Sequence, residues 1–201
     1  MMLESVSESM PSLGDLPGAS NRLTCRYTLP IWTGRNEFAA PYWRDVGTIQ
    51  AYYEANMDLN HVKPELNLYN REWPVRSISY PDPPAKFVFD DEGRRGLAID
   101  SIVSEGCIFS GGVVRRSVLA RGVRVHTGAL LEGCVIMDNC DIERHAKLRR
   151  AILDKNVHIP QDATVGYDLD ADRAHGWRVT KSGIVVIGRE DSSVPVAAIF
   201  A

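Results

Sequence analysis

The sequence predicts a mainly β fold whose second half is a parallel β-helix of short, three-sided coils over roughly residues 98 to 166, preceded by a small α/β segment. Two residue series predict it. Aliphatic residues recur at Ile108, Val114, Leu119, Val125, Leu131, Ile136, Ile142, Leu148, Leu153, Ile159 and Val165, always five or six apart. Two positions before each stands a small or β-branched residue: Gly106, Gly112, Ser117, Val123, Ala129, Cys134, Cys140, Ala146, Ala151, Val157 and Ala163. Three consecutive intervals sum to 17, so Ile108, Val125, Ile142 and Ile159 fall in one register, and Val114, Leu131, Leu148 and Val165 in another. Each side of such a coil places one aliphatic side chain inside and one small residue where the interior narrows. Coils then stack by parallel hydrogen bonding at about 4.8 Å. No hairpin pair such as Asn-Gly interrupts the run, which argues against a sandwich.

Composition agrees with a globular chain. With 201 residues and 44% apolar content there is enough material for a core. A net charge of −3 from 23 basic and 26 acidic residues supplies no overall field toward nucleic acid or an anionic membrane. No apolar run is long enough to span a bilayer, and the start MMLESVSESM lacks the basic and apolar stretches of a signal peptide, so a cytoplasmic protein is expected. Four cysteines are too few for a disulfide scaffold. Cys134 and Cys140 fall in the small-residue series and are expected as packed core thiols.

Ahead of the repeat, residues 1–21 are rich in Ser, Gly and Pro and are expected to be disordered. Residues 22–97 read as an α/β segment plus connector, and 98–201 as the β-helix domain with a C-terminal strand. Within the first of these, Tyr27, Leu29, Ile31 and Trp32 suggest a short strand. Ile49, Tyr52, Tyr53 and Met57 recur at helical spacing with Thr48 placed to cap, which predicts a helix over about 48 to 59. Five prolines between Lys63 and Phe89 make that stretch a connector.

Registering the outward residues produces three columns of alternating charge: Arg115, Glu132, Arg149; Arg121, Asp138, Lys155; and Arg124, Asp141, His158. They are expected as surface ion-pair ladders. Arg116, Arg144, Lys147, Arg149, Arg150 and Lys155 leave excess positive charge near the middle coils, which could hold an anion. His126, His145 and His158 are 19 and 13 apart and do not superpose on a 17-residue coil, which argues against a hexapeptide acyltransferase or a metal pair. Asp168 to Asp172 resembles the start of a calcium loop but lacks Gly and Glu at the later positions, so a charged turn is expected. Asp45 ends an expected short strand just before Gly47 and the helix start, where a carboxylate can cap a turn or face a cleft.

The stretches PYWRDVGTIQAYYEANMDL, PELNLYNREWPVRS, PPAKFV, AILDKNVHIP and SGIVVIGRE, with the coils between them, resemble the C-terminal half of bacterial glucose-1-phosphate adenylyltransferases from about Pro41 to Glu190. The resemblance implies a left-handed β-helix of hexapeptide type joined to a remnant of a Rossmann-like nucleotidyltransferase domain. It implies ADP-glucose and pyrophosphate made from ATP and glucose 1-phosphate in glycogen biosynthesis, with Mg²⁺, in a homo-oligomer under control by an anionic sugar-phosphate effector. It assigns Asp45 as one of two metal ligands, and Arg149 and Lys155 as effector candidates. This sequence contains no GGxGxRL-like loop to cradle a triphosphate and no matching sugar-phosphate lysine. Nucleotidyl transfer rests on positioning and charge neutralisation, so no complete catalytic set and no activity of the chain alone are expected. A non-catalytic regulatory or oligomerisation subunit that pairs with a full-length paralogue is the alternative.

Overall fold

A computed structural model describes residues 42–71, 74–76, 78–91 and 94–191. The segment expected to be disordered, the strand expected around Tyr27 to Trp32, and Trp73 lie outside the described residues. Fifteen short strands wind as a three-sided parallel β-helix with five strands on each side. The first side stacks Lys86–Val88, Ile108–Ser110, Arg124–Val125, Asp141–Ile142 and His158–Ile159. On the second lie Leu97–Ile99, Val113–Arg115, Leu130–Glu132, Lys147–Arg149 and Thr164–Val165. Ile102–Val103, Val118–Leu119, Val135–Ile136, Ala151–Leu153 and Val185–Ile187 form the third, where Arg178–Val179 adds one antiparallel strand at the edge.

The two residue series fill the interior. Val114, Leu131, Leu148 and Val165 pair in register across adjacent coils and are fully buried. The small series from Ser117 to Val157 is buried beside them. Ladder bonds run between coils at ordinary lengths, for example Arg124 N to Cys140 O at 2.9 Å and Asp141 N to Val157 O at 3.0 Å. Corners turn on residues with positive φ, including Gly122, Asn139 and Asn156 in one column and Arg116, Gly133 and Arg150 in another.

The first coil corrects the expected register. Ile108 is exposed, while Phe109 is fully buried and pairs with Val125. Cys107, not Gly106, is the buried small residue there. The cause is Phe87, which pairs with Phe109 and stacks on its ring at 4.4 Å between centroids. An aromatic pair at the open end outweighs the choice of one aliphatic over its neighbour. The stack also begins earlier than residue 98, since Lys86–Val88 and Leu97–Ile99 already belong to it.

Helix α1 spans Ile49–Asp58, with Thr48 Oγ1 accepting from Ala51 N at 3.1 Å. It packs outside the third side, where Tyr53 joins Val135, Ile152 and Ile184 with Ile49, Tyr52, Met57 and Val186 around them. Tyr53 is therefore buried. After the last coil, the acidic run forms a short helix α2, Leu169–Ala174, instead of a plain turn. Asp168 caps it through Asp170 N and Ala171 N, and Asp172 is buried and accepts from Gly166 N at 2.9 Å. Among the described residues no helix is long and apolar enough to cross a membrane.

Candidate functional site

A cleft lined by three arginines lies where α1 meets a corner of the β-helix. There Tyr53 donates its hydroxyl to the Gly133 carbonyl at 2.7 Å. Gly133 is needed for two reasons: its φ is +62°, and a Cβ would sit 3.0 Å from that hydroxyl. Around this contact opens a cleft of about 630 Å³ that brings together Arg116 and, two coils further on, the neighbours Arg149 and Arg150. Arg116 is held by Glu132 at 2.8 Å. Arg150 donates to Ser182 O at 3.3 Å and stands over the Tyr53 ring at 5.7 Å from its centroid. Arg149 makes no ion pair among the described residues. Burial raises the Tyr53 phenol above its ordinary range, and the charge of Arg150 partly offsets this.

Of the two effector candidates, Arg149 lines this cleft and Lys155 does not. Lys155 instead ends a surface ladder on another corner, 3.9 Å from Asp138, which lies 3.9 Å from Arg121. Arg121 in turn binds Asp82 at 3.0 Å and stacks over Tyr80 at 3.6 Å. The other two columns keep their register but pair differently. Glu132 takes the corner residue Arg116, while Asp141 pairs with His126 at 2.8 Å and Glu143 with His158 at 3.5 Å. Diagonal partners win because charged ends reach past the residue directly opposite. His145 occupies a corner, its ring where a Cβ on Gly128 would be.

Asp45 lies in irregular backbone, not at the end of a strand, and is exposed. Its Oδ1 accepts from Gly47 N at 2.9 Å, the geometry of a turn cap. Mg²⁺ takes six oxygen ligands, usually one or two of them carboxylates and the others water or phosphate. Among the described residues no group of three or more His, Cys, Asp or Glu is placed for a metal. Asp45 is a single exposed carboxylate that caps its own turn, and no chemical step is derived through a metal.

The core thiols are inert by position. Cys134 Sγ lies 3.5 Å from Glu132 O and Cys140 Sγ 3.0 Å from Asp154 O. Burial pushes the Cys134 thiol up to about 11 and the Cys140 thiol up to about 12.

Tyr53, Asn60 and Gly133 are cleft residues that no motif in the sequence singled out. A signal existed: Val118, Val135 and Ile152 recur 17 apart two positions from the turn, facing outward, which is an apolar stripe that something must cover.

Known proteins resemble the chain in both its coils and its preceding segment. A family described as GlmU-like, C-terminal hexapeptide matches residues 83–187. The chain is 54% identical over 161 residues to a glucose-1-phosphate adenylyltransferase of Rhodopirellula baltica, covering 79% of this chain and 36% of that protein. Proteins of the same name are 53% identical over 146 residues in Geobacter metallireducens, covering 73% and 35%, and 48% identical over 158 residues in Alteromonas mediterranea, covering 79% and 37%. The match thus spans little more than a third of the length of these relatives. A parallel solenoid with five strands on each side is consistent with the left-handed β-helix of hexapeptide domains. The chain belongs to the GlmU-like C-terminal hexapeptide family, and within it resembles the C-terminal part of glucose-1-phosphate adenylyltransferases.

Proposed function

We propose that the chain serves glycogen biosynthesis as the β-helix part of a cytoplasmic glucose-1-phosphate adenylyltransferase, without making ADP-glucose on its own. The observation that carries this is identity near 50% over 79% of the chain, far more than the coils alone. ATP, glucose 1-phosphate and Mg²⁺ would be handled by a nucleotide-binding domain, to which this chain contributes Asp45. No GGxGxRL-like phosphate cradle occurs in the sequence. Arg149 or Lys155 would face an anionic effector. The purified chain, given ATP, glucose 1-phosphate and Mg²⁺, should release no pyrophosphate above background. Release that disappears in Asp45→Ala would overturn the proposal.

A second reading, as a subunit that associates with itself or with a full-length paralogue, is favoured by the first coils. Phe87, Phe89, Leu97, Ile99 and Ile108 are all exposed there, beside strand edges that lack a partner among the described residues. Light scattering should show a mass above 22.3 kDa, or a complex when the full-length enzyme is added. A monomer in both cases would exclude this reading.

A further inference from the structure

We propose that the second side of the β-helix, along Leu97, Val113 and Leu130, receives the same side of a second copy of this chain, with the two coil stacks lying parallel. The proposal rests on self-association of the chain and fixes which face is used and with what symmetry.

An outward apolar column comes first. Leu97, Val113 and Leu130 stand in register on successive coils, each next to an inward residue, Ala98, Val114 or Leu131. Side chains alternate along a strand, so these three point away from the core. Leu97 is exposed, Val113 and Leu130 are half-buried, and none of them belongs to either apolar cluster of the molecule. The third side shows what such a column becomes under cover: Val135 and Ile152, outward there, are only 3% and 5% exposed beneath α1. Among the described residues no helix packs on Leu97, Val113 or Leu130.

Charges of opposite sign border the column. On one rim Asp90, Asp91 and Arg95 enclose a groove of about 760 Å³ floored by Leu97, Val113 and Leu130. Asp90 pairs with Arg95, and Arg94 is turned onto the Phe89 ring at 3.7 Å. That leaves Asp91 exposed and without an ion pair among the described residues. On the other rim Arg115 is exposed and likewise unpaired among the described residues, because Glu132 beside it is held by Arg116 at 2.8 Å. Both charges lie at the height of one coil. Gly111 precedes the strand Val113–Arg115, and a Cβ on it would stand 2.7 Å from Arg94 O, so the chain around Asp91 lies against that coil.

This pattern is complementary to itself. A two-fold axis in the interface, parallel to the coil stack, keeps every residue at its own height and exchanges the two rims. Asp91 of each copy then faces Arg115 of the other, twice, while the apolar columns meet between them. An apolar centre with a charged rim is the usual anatomy of an interface. A two-fold axis across the stack would instead set like rims together. Three coils make a small face, so a weak dimer is expected, with Kd of about 1 to 100 μM.

The test is sedimentation equilibrium on the full 201-residue chain over about 5 to 500 μM, which brackets that range. The mass should rise with concentration from 22.3 kDa to twice that value. Leu130→Glu should raise Kd at least about tenfold. Asp91→Arg and Arg115→Asp, both at exposed positions, should each raise it at least about fivefold, and the two together should restore it to within about twofold. Ile108→Asp, exposed on the first side, should leave it unchanged, and circular dichroism melts check that each variant folds. A wild-type chain that stays at 22.3 kDa throughout would overturn self-association and this proposal together. A dimer indifferent to Leu130→Glu, or broken by Ile108→Asp, would keep self-association and overturn this face. A charge exchange no better than its single changes would overturn the parallel two-fold arrangement.

Discussion

Replacing Gly133 with Ala tests how the helix is fastened to the coils. Two costs of different origin are expected. Gly133 sits at φ +62°, a region that costs a residue with a Cβ about 1 to 2 kcal/mol. The new methyl would also stand 3.0 Å from the Tyr53 hydroxyl and displace it from the Gly133 carbonyl, which it meets at 2.7 Å. A hydrogen bond of this kind is worth about 1 kcal/mol net. Gly133→Ala should therefore destabilise by about 2 to 3 kcal/mol, and Tyr53→Phe by about 1 kcal/mol. In the double variant the hydroxyl is absent, so the methyl displaces nothing and only the backbone cost is added. Its total should again be about 2 to 3 kcal/mol, short of the sum of the single changes by about 1 kcal/mol. Urea unfolding followed by circular dichroism measures the whole chain, while hydrogen exchange of the α1 amides reads helix docking separately. Strict additivity in this cycle would refute the contact, and a neutral Gly133→Ala would refute the left-handed backbone.

Three other outcomes are expected. Leu131→Ala, at a fully buried position in the middle of the stack, should lower stability by about 2 to 5 kcal/mol through a cavity, and Cys134→Leu by about 1 to 3 kcal/mol through overpacking; unchanged urea midpoints would mean that neither faces the interior. Because burial holds Cys134 near 11 and Cys140 near 12 against an ordinary value of 9.0, the unfolded chain ionises first as pH rises. Stability from these thiols is complete below about pH 9 and falls between about 9 and 12, and an aromatic disulfide at pH 8 should label them only on unfolding, so fast native labelling would contradict their burial. Arg121→Ala removes contacts to Asp82, Asp138 and Tyr80 together, and should speed hydrogen exchange in residues 78–85 while sparing the inner coils; no change there would show that the ladder does not hold the connector.

Much of the architecture was legible from residue order, for a physical reason. In a β-helix every coil is built by near neighbours in the chain, so a period of 17 and a series of small residues record the cross-section directly. The thiols at Cys134 and Cys140, the cap at Thr48 and the ion ladder of Arg121, Asp138 and Lys155 followed from the same local bookkeeping. The candidate site was less legible. Its arginines could be named as excess charge, but Arg116, Arg149 and Arg150 share a cleft with Tyr53 and Asn60 only because a helix some 80 residues upstream lies across them.

By itself, the sequence determined the three-sided coil, the identity of most inward residues and the extent of α1, because each depends on spacing over a few residues. Tertiary structure decided the first register, the course of the acidic run after the last coil, and the separation of Arg149 from Lys155. Ile108 and Phe109 are adjacent and both apolar, so local pattern cannot choose between them; the choice is made by Phe87, 22 residues away, which only the fold brings alongside. The same holds for α1. Its docking depends on an outward stripe of Val135 and Ile152 and on one carbonyl at Gly133, contacts that a helical period can require but cannot locate.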